Sequence, residues 1–239
     1  MPRPPVTVVF GARNVGRAVT ARRLAAGGRV LAVARTAETL DALRAEHPGV
    51  LTMHGDATQH AVVAEALSRA ERELGGLDLV VNAITAPPRD QAFGGGPITE
   101  AAPDRLDAGL AGFVPAAWAI LRSGGAALSA RGEGTLVQVA GGSARRAIPG
   151  RAMWGAAQHA ARALALGLAQ ELRPHGVHVA LLVADGIIQT ERAPMEDRPP
   201  EESLSADDVA GAVDFLVGQS PRGWTHELCL TPAGERWVP

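Results

Sequence analysis

Short apolar runs recur along this chain and alternate with longer segments of helical periodicity. The runs VTVVF at residues 6–10, VLAVA at 30–34 and VHVALLV at 177–183 are apolar at nearly every position, as strands buried on both faces of a parallel sheet are. The segments between such runs are rich in Ala, Leu and Arg, with apolar residues at helical spacing. This alternation predicts repeated βαβ units, and therefore an α/β fold with a doubly wound, mainly parallel sheet.

The pattern defines seven strands and six helices on both faces of the sheet. The strands are predicted at residues 6–10, 29–34, 50–54, 77–82, 134–140, 177–183 and 227–230, and the helices at 15–26, 37–45, 59–74, 102–122, 150–173 and 206–217. No composition break or long linker divides the chain. We therefore expect a single Rossmann-like domain over residues 1–239.

Charge and composition exclude several classes of function. The formal net charge is -2 and the Arg residues form no basic stripe, so nucleic acid is not an expected partner. No apolar segment approaches the roughly 20 residues that span a bilayer, and the N-terminus lacks the pattern of a signal peptide. With Cys229 as its single cysteine, the chain is predicted to be a soluble cytoplasmic protein without membrane partners.

A glycine-containing turn follows the first predicted strand. Gly11 and Gly16 bracket the turn, and Asn14 between them tolerates left-handed backbone angles. Such a turn lets backbone N–H groups and a helix N-terminus approach a pyrophosphate. The alternative interpretation is a simple connection between a strand and a helix.

Arginine at the end of the second predicted strand favours one cofactor over another. In dinucleotide-binding folds an acidic residue here holds the ribose 2′-hydroxyl of NAD, whereas an Arg meets the 2′-phosphate of NADP. Arg35 occupies this position, and Arg13 lies on the adjacent loop. We therefore expect NADP(H), with NAD(H) as the alternative, although both could be solvated surface groups.

Three further motifs resemble the short-chain dehydrogenase/reductase family. Asp56-Ala57 matches its adenine-contacting Asp, Val81-Asn82-Ala83-Ile84 its Asn-Asn-Ala-Gly, and Asp185-Gly186-Ile187-Ile188-Gln189-Thr190 its Pro-Gly-x-x-x-Thr turn, with Asp185 in place of Pro. The glycine turn is one residue shorter than in the family. The resemblance implies cofactor contacts at Gly11, Arg13, Asn14, Val15, Gly16, Arg35, Asp56, Ala57, Asn82, Ala83, Gly186, Ile188 and Thr190.

The proton relay of that family has no counterpart here. Its members use a Tyr as acid, a Lys four residues later on the same helix face, a Ser and an Asn. The chain has no Tyr, and all 23 of its Lys-plus-Arg residues are Arg. The resemblance places Trp154 at the Tyr position and Gln158 at the Lys position. The Asn position falls at Gly109 and the Ser position near 141–142, with Ser143 one or two residues late.

Two interpretations of these replacements stay open. The site could have become a catalytically silent cofactor-binding or scaffold subunit. It could instead be rebuilt for Tyr-independent reduction, since iminium ions and polarised conjugated systems accept hydride without a general acid, or for non-redox cyclisation or isomerisation. We favour an atypical NADP(H)-linked enzyme acting on a hydrophobic small molecule. The candidate catalytic residues are Trp154, Gln158, Ser143 and Asp185.

Each candidate has a structural alternative. Trp154 could stack on a substrate or fill the vacated Tyr space, and Gln158 could orient a substrate or be polar filler. Asp185 could act as a base or form a turn. We expect His159 to face the sheet or a partner. Arg145 and Arg146 are either exposed loop residues or bind an anionic substrate. The loop at 87–97, which contains Phe93, either closes over the site as a lid or only connects two elements. The resemblance also implies a homodimer or homotetramer formed through helices 102–122 and 150–173.

Overall fold

The main sheet of the chain consists of parallel strands and is covered by helices on both faces. The computed structural model describes residues 3–85, 96–189 and 199–235. The strands are β1 (Val6–Phe10), β2 (Arg29–Ala34), β3 (Leu51–His54), β4 (Leu79–Asn82), β5 (Gly134–Gly141), β6 (Val177–Ala184), β7 (Ile187–Ile188), β8 (Ser203–Leu204) and β9 (Glu227–Leu230). The α-helices are α1 (Val15–Ala25), α2 (Ala37–Glu46), α3 (His60–Arg69), α4 (Arg105–Ala111), α5 (Val114–Arg131), α6 (Ala152–Leu172) and α7 (Ala206–Val217).

Strand order confirms the doubly wound prediction. The main sheet has seven strands in the order β3-β2-β1-β4-β5-β6-β9, and every neighbouring pair in it is parallel. The order reverses between β1 and β4, where ligands of such sheets bind outside the carboxyl ends of the strands. Every residue of β1 and of β6 is buried, as their apolar runs predicted.

The two faces of the sheet bury separate apolar clusters. Val6, Val8 and Phe10 of β1 pack with side chains of α3, α5 and α6. Val9 packs with α1, α2 and α7 on the other face. The alternation of side chains along one strand thus supplies both cores.

The predicted helix at 102–122 was wrong at both ends. It is two helices, α4 and α5, because α4 ends at Ala111, with Gly112 as its C-cap, and α5 starts with Pro115 in its first turn. The second helix then continues to Arg131 through a Gly pair. A Cβ on Gly124 would lie 3.2 Å from Leu136 Cδ1 and 3.3 Å from a Cγ of Val80. This glycine therefore allows close packing of α5 on the sheet and does not end the helix.

Two smaller features also departed from the pattern. The predicted helix at 59–74 changes from α3 to a π-helical turn, Ala70–Leu74, which ends at Gly75 with φ 82°. A second sheet of two short strands, β7 and β8, was not predicted. Both are too short to produce a periodic sequence signal.

Two histidines join the amino ends of β6 and β9. One ring nitrogen of His178 donates to the carbonyl of Thr225 at 2.9 Å, and one of His226 donates to that of Val179 at 2.8 Å. The His178 ring stacks on Trp224 with ring centres 5.1 Å apart. Burial lowers the pKa of His178 from its ordinary 6.5, and the nearby His226 lowers it further, while the bond to Thr225 opposes both.

This lowered pKa predicts acid sensitivity. The unfolded chain takes up a proton at position 178 below about pH 6.5 while the folded state still resists it, so the free energy of unfolding falls as the pH drops towards the folded pKa. Urea unfolding at about pH 7.5 and about pH 5.5 should show a larger drop for the wild type than for His178→Gln. His175→Gln, at an exposed position, is the control and should keep the wild-type drop. The same drop in all three proteins would contradict the prediction.

Candidate functional site

The turn after β1 lies where three strands end together. Gly11 N–H donates to the carbonyl of Val33 at 2.9 Å, and Ala83 N–H donates to that of Phe10 at 2.8 Å. Gly11 has φ +93°, and a Cβ there would lie 2.8 Å from the carbonyl oxygen of Ala83. Only glycine fits this position, because both its backbone angle and its neighbours exclude a side chain.

The second glycine of the turn is even more constrained. A Cβ on Gly16 would lie 1.7 Å from the carbonyl oxygen of Gly11. Asn14 has φ 42°, the one positive φ of a residue other than Gly in the described part of the chain. Although one residue shorter than expected, the turn thus keeps a side-chain-free cradle at the start of α1. The first turn of α1, which begins at Val15, carries no acidic side chain to repel a phosphate. These features fit a dinucleotide pyrophosphate.

Arg35 and Asp56 meet at the rim beside β2 and β3. Their side chains are 51% and 42% exposed, and Arg35 Nη1 lies 3.9 Å from Asp56 Oδ2. The Asp56 carboxylate also accepts the N–H of Thr58 at 3.0 Å, next to the buried Ala57. Such a loose, exposed ion pair is weakly stabilising. The Arg35 guanidinium is therefore available to an added phosphate, as is expected of a 2′-phosphate contact.

Asn82 is the last residue of β4 and lies beside Phe10 of β1. It is fully buried, donates from Nδ2 to Gln138 Oε1 at 2.8 Å, and accepts the N–H of Ile84 at 3.1 Å. Gln138 donates in turn to the carbonyl of Val139. The amide of Asn82 therefore sets the path of the chain past half-buried Ala83. Gln138 was not among the predicted residues, because nothing in the sequence shows that it pairs with position 82.

Gln158 is fixed to the end of β5. Its side chain is buried, and Oε1 accepts the N–H of Gly141 at 2.8 Å. A Cβ on Gly141 would still lie 4.0 Å from this oxygen. The residue at the Lys position thus joins α6 to the strand that precedes it.

Trp154 is packed as a core residue. It is 7% exposed, and its ring lies 5.3 Å from that of Phe113 at an angle of 52°. It belongs to the apolar cluster beneath α5 and α6. This packing favours the interpretation in which Trp154 fills the vacated Tyr space.

Asp185 is held in a buried ion pair. It is 1% exposed, and its Oδ1 accepts from Arg146 Nη2 at 2.9 Å. A Cβ on Gly142 would lie 1.8 Å from the same oxygen, so the carboxylate occupies space that any side chain at 142 would need. Asp185 N–H donates to the carbonyl of Leu230. The carboxylate is thus engaged with the fold, which does not favour a role as a mobile base.

The neighbouring arginines are also paired. Arg145 Nε lies 3.1 Å from Glu227 Oε1, and Arg162 donates to Glu227 Oε2 at 2.8 Å. Because carboxylates neutralise Arg145 and Arg146, the structure does not favour an anionic substrate here. Neither Glu227 nor Arg162 was predicted, since their partners lie far along the chain.

The remaining candidates take up minor positions. Ser143 is buried in a 3-10 turn, Gly142–Ala144. His159 is exposed and bonds to the carbonyl of Gly155 at 2.9 Å, so it does not face the sheet, and the alternative that it faces a partner stays a prediction. Gly186 contacts Pro232, and Ile188 pairs with Leu204 in the small sheet. Arg13 is exposed and lies within the glycine turn. Thr190 and residues 87–95 of the predicted lid lie outside the described residues.

No group of three or more His, Cys, Asp or Glu side chains in the described segments could hold a metal ion. None of the described helices is long and apolar enough to cross a membrane.

Comparison with known proteins identifies relatives along most of the chain. The profile of the short chain dehydrogenase family matches residues 5–199. A farnesol dehydrogenase of Aedes aegypti is 25% identical over 246 residues, covering 97% of each protein. An L-xylulose reductase of Mesocricetus auratus is 29% identical over 174 residues, covering 72% of this chain and 67% of the relative.

Solved structures share the fold. A short-chain type dehydrogenase/reductase from Mycobacterium ulcerans superposes with a TM-score of 0.84 at 20% identity, covering 95% of this chain and 88% of the other. A metagenomic short-chain oxidoreductase in complex with NADP gives 0.77 at 23% identity, covering 96% and 98%. Because the family profile spans most of the sequence and the sheet order agrees, the chain belongs to the short chain dehydrogenase family.

Proposed function

We propose that this protein binds NADP(H) and acts on a hydrophobic small molecule without a Tyr–Lys proton relay. One contrast carries the proposal. The glycine cradle at Gly11 and Gly16 keeps the geometry that a dinucleotide needs, whereas the relay positions hold a packed Trp154 and a fixed Gln158. A site with a cofactor cradle but no acid at the relay positions favours a reaction that needs a positioned cofactor and no proton donor from the protein.

Arg35 supports the choice of NADP(H). Its loose pairing with Asp56 leaves the guanidinium exposed at the rim where a 2′-phosphate is expected. A solved relative of the same fold is described in complex with NADP. NAD(H) is the alternative, because Asp56 lies within reach of the same rim.

The residues of this site restrict the class of substrate. When bound, the cofactor would supply a hydride. Reduction of an iminium ion then needs no proton, whereas a carbonyl acceptor takes its proton from water because neither an indole nor an amide titrates usefully. The acceptor must therefore be polarised before it receives the hydride, as an iminium ion or a conjugated carbonyl is. The carboxylate partners of Arg145 and Arg146 favour a neutral, hydrophobic molecule over an anion. Non-redox cyclisation or isomerisation in the same pocket would leave the cofactor unchanged.

Calorimetric titration with NADPH and NADH tests the cofactor assignment. Replacing Arg35 with Asp should weaken NADPH binding by roughly tenfold or more and NADH binding much less, because only NADPH presents a 2′-phosphate. Arg72→Asp, at an exposed ion pair on another part of the surface, is the matched control and should change neither affinity. An equal loss for both cofactors would remove the NADP(H) assignment. No saturable binding of either by the wild type would remove the proposed function.

A catalytically silent subunit is the second candidate. It is favoured by the internal contacts of the candidate groups, since Asp185, Gln158 and Trp154 each bond to or pack against the fold. Two results together would support a silent subunit. The wild type should bind NADPH but not oxidise it in the presence of aldehydes, ketones or iminium ions, and the double variant Trp154→Tyr with Gln158→Lys should oxidise it. Substrate consumption without loss of NADPH absorbance would instead indicate non-redox chemistry.

Self-association stays a prediction under either function. Trp118 on α5 and Leu106 on α4 are large apolar side chains that are about half exposed. They lie on the helices through which family members associate. We propose a homodimer or homotetramer formed through α4, α5 and α6, which sedimentation of the purified protein would detect.

A further inference from the structure

Gln158 has one polar atom that the fold uses and one that it does not. The bond from Gly141 N–H to Oε1 is 2.8 Å long. Since a backbone N–H can only donate, this bond assigns the amide oxygen to Gly141 and turns the NH2 group away from the end of β5. The orientation of the amide is therefore set by the backbone.

The amide nitrogen of Gln158 has no partner in the described part of the fold. Within residues 3–85, 96–189 and 199–235 it has no hydrogen-bond acceptor, although the residue is only 1% exposed. Glycines at 141 and 142 place no side chain beside it. Trp154 lies one helical turn earlier on the same face of α6. A donor of fixed direction is thus presented at the relay position.

We infer that the Gln158 amide is a catalytic donor that binds an oxygen acceptor of the ligand. The inference rests on the proposed function. The acceptor is either a ribose hydroxyl of the cofactor or the carbonyl oxygen of a neutral, conjugated substrate. A neutral amide cannot release a proton, so its effect is to hold and polarise that oxygen. This favours a conjugated carbonyl over an iminium ion, which offers no lone pair.

Three substitutions separate the anchoring oxygen from the donating nitrogen. Gln158→Glu can accept from Gly141, and as a carboxylate it cannot donate. Gln158→Lys can donate but cannot accept, and Gln158→Met does neither. Gln170→Glu repeats one change at an exposed position of the same helix and serves as the control. Thermal unfolding confirms that each variant is folded.

The first probe is NADPH, titrated into the protein alone. The second probes are two neutral ketones, cyclohex-2-en-1-one and 1-decalone, titrated into protein saturated with NADP+. If the acceptor is a ribose hydroxyl, Gln158→Met should bind NADPH about tenfold more weakly. Gln158→Lys and Gln158→Glu should keep the affinity, since a hydroxyl can turn and donate to a carboxylate. If the acceptor is a carbonyl, NADPH affinity should not change, and ketone affinity should fall about tenfold in the Met and Glu variants but not in the Lys variant.

Other patterns overturn the inference. If Gln158 only anchors Gly141, the Glu variant will bind like the wild type while the Lys and Met variants both weaken. Wild-type affinities in all the variants would equally exclude a donor. If neither ketone saturates the wild type, NADPH alone decides, and unchanged affinity in Gln158→Met overturns the inference. Failure of the proposed function is distinct, because it appears as absent NADPH binding in the wild type.

Discussion

Replacing Gly16 with Ala should destabilise the fold and disable the nucleotide cradle together. The new Cβ would lie 1.7 Å from the carbonyl oxygen of Gly11. That oxygen belongs to the backbone, so the clash cannot be relieved by rotating a side chain and the turn must move. Overpacking of this kind costs about 1–3 kcal/mol in the free energy of unfolding. Displacing the turn should weaken NADPH binding by at least about tenfold. Urea unfolding and calorimetry measure the two effects.

Gly167→Ala is the control, because it adds the same methyl group at a position where the surrounding atoms leave space for it. A Cβ at this position of α6 has nothing within 4 Å. Ala is favoured over Gly in a helix by up to about 1 kcal/mol, so this variant should be as stable as the wild type or more stable. If Gly16→Ala and Gly167→Ala unfold at the same urea concentration and bind NADPH equally, the packing of the turn contributes neither stability nor binding.

The fold was predictable because buried parallel strands leave a strong signal. Continuous apolar runs placed all seven strands of the main sheet, with ends within two residues of those observed. The prediction failed where packing overrides local preference. Gly112 and Pro115 separate two helices, yet Gly124 and its neighbour do not end α5, because the sheet needs a side-chain-free contact there. Composition alone does not distinguish a glycine that breaks a helix from one that lets it approach a strand.

The position of the glycine turn was easier to predict than the contacts of the relay positions. Gly11, Gly16, Asn82 and Arg35 lie at or just after the ends of strands that meet at one edge of the sheet, and their cofactor contacts stay a prediction. On the substrate side, sequence placed Gln158 correctly on α6 but could not reveal its bond to Gly141. The partners of charged groups were also hidden. Glu227 is 65 residues from Arg162, and such pairings depend on how the chain folds back.

The departures from the family pattern near β5 and β6 depend on one another. Asp185 stands where the family has Pro, and its carboxylate occupies the space beside Gly142. Arg146 neutralises that carboxylate from the same turn. A carboxylate at 185 therefore requires both a glycine at 142 and a nearby cation. Gly142, Asp185 and Arg146 therefore form one unit of packing and charge.

Arg146→Met tests this unit and should cost about 3–5 kcal/mol in the free energy of unfolding. Arg146 is 24% exposed and Asp185 is 1% exposed, so solvent cannot replace the lost partner. Without Arg146, neither oxygen of the Asp185 carboxylate has a hydrogen-bond partner among the described residues. An uncompensated buried charge is far more costly than an absent pair. Urea unfolding of the single variant gives the magnitude.

Two companion variants decide whether the loss comes from the buried charge. Adding Asp185→Asn to Arg146→Met removes the stranded charge at nearly constant volume, so the double variant should be more stable than Arg146→Met alone. Arg72→Met removes the same side chain from an exposed pair with Glu65, both partners being about half exposed. It should cost less than about 1 kcal/mol. If Arg146→Met and Arg72→Met cost the same, or if Asp185→Asn recovers nothing, Asp185 is not held as a buried carboxylate that needs Arg146.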